Sequence, residues 1–241
     1  MKSIIEQCKE LYQEAFDDDV EFTELLFNTF FESSCRFLSE NGKIVSMLFA
    51  IDVTLDSHKG KYIYAVATDK NMRGKGYMRI LFNKIIDEFR DKYDFLCLKP
   101  MSENLFAFYE KLGFERKFTK AKVVNGFSNS DTELTLLSDI NTIKSIRKTL
   151  IKNNYVEYSD DFYKLILSYC NVYCDNVNNS TVFIVVEKTS QKVKEVLGNY
   201  KKLPSIFNNK ELLINGTEFD YAMIKYLTDY KFGGYLGYAL D

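Results

Sequence analysis

Apolar residues recur every three or four positions in four stretches of the first half of the chain, and this spacing predicts amphipathic helices. The predicted helices cover residues 3–16, 20–32, 76–91 and a segment around Leu105–Leu112. Runs rich in apolar residues between and after them predict strands at 35–39, 43–54, 61–67 and 94–99. The first 120 residues are therefore predicted to fold in the order α-α-β-β-β-α-β-α, followed by a further strand.

Turn signals and one crossover predict how these strands pair. Asn41-Gly42 is a strong hairpin signal, and His58-Lys59-Gly60 predicts a second turn, so the first three strands are expected to be antiparallel. The segment 61–99 reads strand, helix, strand, and such a crossover implies parallel pairing. The fold class is thus α/β with a mixed (α+β) sheet and helices on both faces.

The pattern changes after a polar segment at 125–131, which predicts a linker between a domain at 1–124 and a smaller α/β lobe at 132–241. Helices are predicted at 138–153 and 159–169, a helix or loop at 199–209, and strands at 181–186, 193–197, 211–215, 220–226 and 234–240. No second glycine-rich loop occurs in this lobe.

Composition excludes several classes of partner. Hydrophobic residues make up 46% of the 241 residues, and 17 Tyr with 20 Phe are expected to dominate the core. The net charge of −2, with both signs spread along the chain, predicts no nucleic-acid partner. No apolar stretch approaches the roughly 20 residues that span a bilayer, and the N-terminus does not read as a signal peptide. A cytoplasmic protein without a membrane partner is predicted.

Five cysteines, an odd number, lie mostly within apolar runs and predict reduced, buried thiols. Cys170-x-x-x-Cys174 could form half of a metal site. The single histidine, His58, is distant in sequence, and a four-ligand zinc site would need an unusual set of ligands. Two core cysteines and no metal are therefore predicted.

A glycine-rich loop stands between a predicted strand and the start of a predicted helix, in Met72-Arg73-Gly74-Lys75-Gly76-Tyr77. Glycines allow the backbone to approach an anion closely, and the free N–H groups of the first helical turn point at it. Arg73 and Lys75 add positive charge. The loop alone predicts an anion site, and a plain turn that binds no nucleotide is the alternative.

Residues 66–114 resemble the GNAT superfamily of acyl-coenzyme A-dependent N-acyltransferases. The family's loop motif, Gln/Arg-x-x-Gly-x-Gly/Ala, is matched by Asn71-Met72-Arg73-Gly74-Lys75-Gly76, with Asn71 departing from the preferred residue. A later motif is nearly complete in Asn104-Leu105-Phe106-Ala107-Phe108-Tyr109-Glu110-Lys111-Leu112-Gly113-Phe114. The second half resembles, more faintly, the degenerate second GNAT-like lobe of tandem acetyltransferases, which would shape the acceptor pocket.

The resemblance implies a role for each matching residue. Val66, Ala67 and Thr68 would hold the pantetheine arm of acetyl-coenzyme A, and Asn104 would face it. The pyrophosphate would lie on the loop formed by Arg73, Gly74, Lys75, Gly76, Tyr77 and Met78. Tyr109 would act as general acid toward the departing thiolate, although it also lies on the apolar stripe of its helix and could be a core residue.

The general base is left open. Glu21 and Glu24 on the second helix, the C-terminal carboxylate of Asp241, and water are the candidates, while His58 is expected to be solvent-exposed in its turn. Glutamates at a helix start also commonly lie on a solvated face.

The predicted function is transfer of acetyl from acetyl-coenzyme A to a primary amine, on a small molecule or a peptide, by direct attack. The alternative is a non-catalytic acyl-coenzyme A sensor. The sequence does not determine the acyl length, the acceptor or the oligomeric state, and a homodimer is compatible with it.

Overall fold

The computed structural model describes residues 2–126, 132–151 and 154–237. They form two compact units: Met1–Arg116 with Ala222–Phe232, and Lys117–Tyr221 with Gly233–Asp241. A late segment of the chain thus returns to the first unit, whereas the predicted domains, 1–124 and 132–241, were contiguous. None of the helices in the described residues is long and apolar enough to span a bilayer.

The first unit follows the predicted order of elements. Its helices are α1 (Ile4–Ala15), α2 (Val20–Ser34), α3 (Tyr77–Phe89) and α4 (Glu103–Glu110), and its strands are β1 (Cys35–Glu40), β2 (Lys43–Leu55), β3 (His58–Thr68) and β4 (Phe95–Leu98). β5 (Glu115–Val124) begins here and continues into the second unit.

The sheet of the first unit is mixed, as predicted. β1, β2 and β3 are antiparallel neighbours, and β4 pairs in parallel with β3. Met223–Tyr226, near the end of the chain, pairs antiparallel with β4. The hairpin predicted at Asn41-Gly42 is confirmed, because both residues have positive φ (52° and 78°) and Glu40 pairs with Lys43 across the turn.

Helices cover both faces of this sheet. On one face the ring of Phe49 from β2 meets Phe27 of α2 edge-on, at 5.2 Å between centroids. On the other, Leu48 and Ala50 belong to the core formed with α3 and α4. Successive residues of a strand point to opposite faces, so a nearly continuous apolar run such as 44–51 is buried on both sides.

The second unit carries its own sheet and core. Its elements after β5 are β6 (Thr135–Leu137), α5 (Ile140–Leu150), β7 (Val156–Tyr158), α6 (Asp160–Tyr169), β8 (Cys170–Cys174), β9 (Val182–Glu187), β10 (Val193–Gly198), β11 (Glu211–Asn215) and β12 (Phe219–Tyr226), the last shared with the first unit. Four of these strands form an antiparallel sheet in the order β10-β9-β8-β6, and β11 pairs with β5. All five cysteines of the chain are buried, and none of them forms a disulfide.

Several sequence predictions need correction. His58-Lys59-Gly60 opens β3 and is no turn, because the reversal occurs at Asp56, which has a φ of 53°. The strand predicted at 234–240 is reduced to a single bridge between Tyr155 and Tyr235, and residues 238–241 lie outside the described part of the chain. β6, β7 and β8 were not predicted, since strands of three to five residues carry little periodic signal.

Asp175, which follows β8, holds the loop to β9 together. Its carboxylate accepts hydrogen bonds from the backbone N–H groups of Thr181 (2.8 Å) and Val182 (3.1 Å) and from the hydroxyls of Thr181 and Ser180. Partial burial raises the pKa of Asp175, but these hydrogen bonds outweigh it and bring the pKa to about 2.

Asp175→Asn is expected to lower the free energy of unfolding by about 1–2 kcal/mol, after allowance for the solvent exposure of the side chain. A folded-state pKa below the unfolded value gives stability that is present above about pH 4 and is lost toward pH 2. Urea unfolding at pH 7 and pH 3 measures this. A variant as stable as the wild type at pH 7 would contradict the assigned role.

Candidate active site

The parallel strands β3 and β4 separate toward their carboxyl ends. Gly60–Tyr62 of β3 pairs with Phe95–Cys97 of β4, and β4 ends one residue later at Leu98. β3 continues to Thr68, paired with β2 on its other side. The last residues of β3 therefore leave backbone groups facing the gap beside β4, where an extended ligand could add as a strand.

A β-bulge lies within that free segment. Phe49 of β2 pairs with Tyr64, but Met47 pairs with Ala67, so β3 carries one extra residue. Ala65 takes the strain with a φ of 52°. The extra residue turns Val66 to the same face as Ile63, where it packs against the core formed with α3 and α4.

The glycine-rich loop connects β3 to α3 through a short 3₁₀ turn, Lys70–Met72. Gly74 and Gly76 have φ values of 78° and 85°, a region that side chains with a Cβ rarely adopt. Gly76 is the residue before the first turn of α3, and no side chain caps the N–H groups of that turn. These donors and the positive end of the helix dipole suit an anion.

Asp69 anchors the start of the loop. Its carboxylate accepts from the backbone N–H of Asn71 (2.8 Å) and from Lys43 Nζ (2.5 Å), and its own N–H donates to the Val45 carbonyl of β2. The hydrogen bond from Lys43, followed by that from Asn71, lowers the pKa of Asp69. The loop is thus tied to the sheet by an ionised side chain that sequence reasoning did not single out.

A cleft of about 350 Å³ opens over this loop. Six residues predicted to bind the cofactor line it: Thr68, Arg73, Gly74, Gly76, Tyr77 and Met78. Three others were not predicted, namely Met72, Arg79 and Phe108. Arg79 follows Gly76 by three residues, so its position in the first turn of α3 was available as a sequence signal.

Tyr109 lies on α4 and is 6% exposed. Its ring packs edge-on against Phe82 of α3 and Phe114, at 5.5 and 5.8 Å between centroids. Among the described residues its hydroxyl has no hydrogen-bond partner. Burial raises the pKa of Tyr109 above its ordinary value, so the phenol stays protonated well beyond neutral pH. Tyr109 itself does not line the cleft, but its neighbour Phe108 does, and the two rings are in contact at 5.3 Å between centroids.

The sequence model of the acetyltransferase (GNAT) domain family matches residues 2–116, a little under half of the chain. This N-terminal region is a GNAT domain. The free end of β3, the glycine loop and α4 are the parts of that domain described above.

Solved structures share the fold over most of the chain. A GCN5-related N-acetyltransferase from Anabaena variabilis has a TM-score of 0.67 at 12% identity, covering 93% of this chain and 70% of its own. A putative acetyltransferase from Pyrococcus horikoshii has 0.66 at 14% identity, with 91% and 85% covered. A third, from Kribbella flavida, has 0.62 at 10% identity, with 94% and 71% covered. A search of curated protein sequences gives no significant match.

The remaining predicted cofactor residues do not line the cleft of the GNAT domain. Val66 packs against the α3 and α4 core, and the Ala67 carbonyl accepts from Ser46 Oγ on β2 (3.0 Å). Lys75 and Asn104 are exposed, the latter in the first turn of α4.

Neither glutamate predicted as a general base lines the cleft. Glu24 is ion-paired with Lys9 at 2.7 Å, and Glu21 is exposed in the first turn of α2. His58 lies in β3 and not in a turn, and although it stacks on Phe232 at 3.9 Å, its side chain is still 34% exposed. It opens β3, about 33 Å of strand away from Thr68 at the usual rise per residue. Asp241 lies outside the described residues.

Among the described residues, no group of three or more His, Cys, Asp or Glu side chains is arranged to hold a metal ion. Cys170 and Cys174 are the two ends of β8, and both are buried in the second unit.

Proposed function

We propose that this protein transfers an acetyl group from acetyl-coenzyme A to a primary amine by direct attack on the thioester. The observation that carries the proposal is the cleft over the glycine loop. Uncapped N–H groups of α3, two glycines with positive φ and two arginines converge on it, and α4 brings Tyr109 beside it.

The chemistry of coenzyme A fits this arrangement. Its pyrophosphate suits the first turn of α3, with Arg73 and Arg79 adding charge. The pantetheine arm contains amides, which can pair with the free backbone of Val66 to Thr68 in the manner of an added strand. The thioester would then lie between β3 and β4, within reach of α4.

Tyr109 is proposed to act on the leaving sulfur. A thiol has a pKa of about 8.5, below that of a buried phenol, so full proton transfer to the thiolate is uphill. The larger contribution is a hydrogen bond that strengthens as charge develops on sulfur while the C–S bond breaks. Because its ring is held by aromatic neighbours, the hydroxyl needs no reorganisation.

The acceptor is proposed to be a primary amine on a small molecule or a peptide. Release of free thiol from acetyl-coenzyme A, measured with a chromogenic disulfide, tests this across a polyamine, an aminoglycoside and a peptide with a free N-terminus. At least one amine is expected to give thiol release matched by amide formation. Binding of acetyl-coenzyme A without turnover of any amine would instead favour the acyl-coenzyme A sensor.

A further inference from the structure

Three side chains of the first unit form a hydrogen-bonded chain that the proposed function does not use. The Tyr12 hydroxyl, on α1, donates to Asp18 Oδ2, in the segment between α1 and α2. The Tyr12 oxygen also lies 3.1 Å from the Tyr64 hydroxyl on β3. Tyr12 is fully buried, whereas Asp18 and Tyr64, at the two ends, are partly exposed.

The β3 end of this chain lies at the separated part of the sheet. Tyr64 directly precedes the bulge at Ala65 and is past the last pair that β3 forms with β4. Its hydroxyl points to the face covered by α1, while Ile63 and Val66 face the core that contains Tyr109. A thioester held at this end of β3 would have Tyr64 on one face of the sheet and Tyr109 on the other.

The hydrogen bonds all donate toward Asp18, from Tyr64 to Tyr12 and from Tyr12 to Asp18. Because Tyr12 donates its proton to Asp18, the Tyr64 hydroxyl must be the donor in the 3.1 Å contact with the Tyr12 oxygen. A phenol oxygen can accept as well as donate, so the Tyr64 oxygen can take a proton from a ligand as its own proton moves to Tyr12. Burial raises the pKa of Tyr12, so Tyr12 passes a proton on without ionising, and Asp18 is the group that holds it.

The three residues of the acidic run Asp17-Asp18-Asp19 have different surroundings. Asp19 caps α2 by accepting from the Phe22 N–H at 2.7 Å, and Asp17 is exposed. Asp18 alone of the three is hydrogen-bonded to Tyr12. Stabilisation of a helix start therefore does not account for Asp18.

We propose that Asp18 is the general base of the acetyl transfer and that Tyr64 and Tyr12 relay the proton to it from the acceptor amine. This rests on the proposed function. Tyr64 is the member that touches the substrate, and Tyr12 and Asp18 act through it.

The proton balance is as follows. The substrate ammonium gives one proton to the Tyr64 oxygen. The Tyr64 proton moves to Tyr12 and the Tyr12 proton moves to Asp18, which becomes a carboxylic acid. The freed nitrogen lone pair forms the N–C bond, Asp18 releases its proton to solvent, and the nitrogen loses its second proton by the same route. The C–S bond breaks with its electron pair on sulfur, the Tyr109 hydroxyl donates a hydrogen bond to the departing thiolate, and the sulfur then takes up a proton from solvent.

The test compares Tyr64→Phe, Tyr12→Phe and Asp18→Asn with Asp17→Asn, which removes the same charge from the same segment. Thiol release from acetyl-coenzyme A is measured with ethylamine, which is protonated at neutral pH, and with trifluoroethylamine, which is not. Thermal unfolding and acetyl-coenzyme A affinity are recorded for each variant, so that a folding or cofactor defect is recognised.

A general base typically contributes between 10²- and 10⁴-fold, so the three relay variants are expected to lose about 100-fold or more in kcat with ethylamine. With trifluoroethylamine the loss should shrink to less than about tenfold, because no ammonium needs deprotonation before attack. Acetyl-coenzyme A affinity should not change, and Asp17→Asn should match the wild type with both amines.

An equal loss with the two amines would overturn the relay and indicate that the side chains position the acceptor. Wild-type rates in all three variants would overturn it as well. If the wild type binds acetyl-coenzyme A but releases no thiol with either amine or with water, the proposed acetyl transfer fails and the relay fails with it.

Discussion

Tyr109→Phe is expected to lower kcat about 100-fold or more while leaving the affinity for acetyl-coenzyme A unchanged. The variant keeps the ring that packs against Phe82 and Phe114 and removes only the hydroxyl. Loss of one donor to a developing anion typically costs 10²–10³ in kcat. Since that hydroxyl bonds to no described residue, the thermal midpoint should not fall.

Tyr93→Phe is the matched control. Tyr93 is a partly buried tyrosine of the same unit, and its ring packs against Phe89 at 5.3 Å and against the ammonium of Lys61 at 4.6 Å. Its variant should keep full activity. Activity of Tyr109→Phe within about threefold of the wild type, far from the usual cost of a lost donor, would leave Tyr109 as a core residue only.

The pH dependence of the reaction rate is a second test of the role of Tyr109. Because burial raises its pKa, the phenol loses its proton only above the ordinary tyrosine value of about 10. The rate should therefore show no loss attributable to Tyr109 as pH rises from 7 to 9.

Gly76→Ala is expected to weaken acetyl-coenzyme A binding about tenfold or more. Alanine at a φ of 85° costs roughly 1 kcal/mol in strain, which the loop can relieve by moving. A Cβ at Gly76 meets nothing within 4 Å in the protein, so it would project into space that the cofactor is proposed to approach. The change in dissociation constant can be measured by titration calorimetry.

Gly42→Ala separates strain from ligand contact. Gly42 has a φ of 78°, also has open space at its Cβ position, and lies in the β1–β2 turn without lining the cleft. The two variants should lose similar stability, but only Gly76→Ala should lose cofactor affinity. Equal affinities in both would place the pyrophosphate elsewhere.

Local signals made the GNAT domain predictable from the sequence. The order of helices and strands, the Asn41-Gly42 hairpin and the glycine loop each depend on residues close together in the chain. Glycines with positive φ and an uncapped helix start are likewise local features. Six of the cleft residues were predicted through the resemblance of this segment to the family's motifs.

Features set by tertiary contacts were missed. The bulge falls on Ala65, which no rule of turn chemistry would select, because the strand around it imposes its conformation. The Tyr12–Tyr64 contact joins residues 52 positions apart. Asp18 read as one more acidic residue before α2, although its neighbour Asp19 is the actual cap.

The return of Ala222–Phe232 to the first unit was also beyond sequence reasoning. Met223–Tyr226 pairs with β4, yet an apolar strand gives no indication of which sheet it joins. The faint resemblance of the second lobe to a GNAT half stays a prediction.

Thermal unfolding of the wild-type protein with and without acetyl-coenzyme A tests the central claim most directly. At a concentration about 100 times the dissociation constant, a ligand that binds only the folded state adds about 2.7 kcal/mol. For a chain of this size that corresponds to a midpoint raised by roughly 5–10 °C. An unchanged midpoint at millimolar acetyl-coenzyme A would contradict the assignment of the cleft to this cofactor.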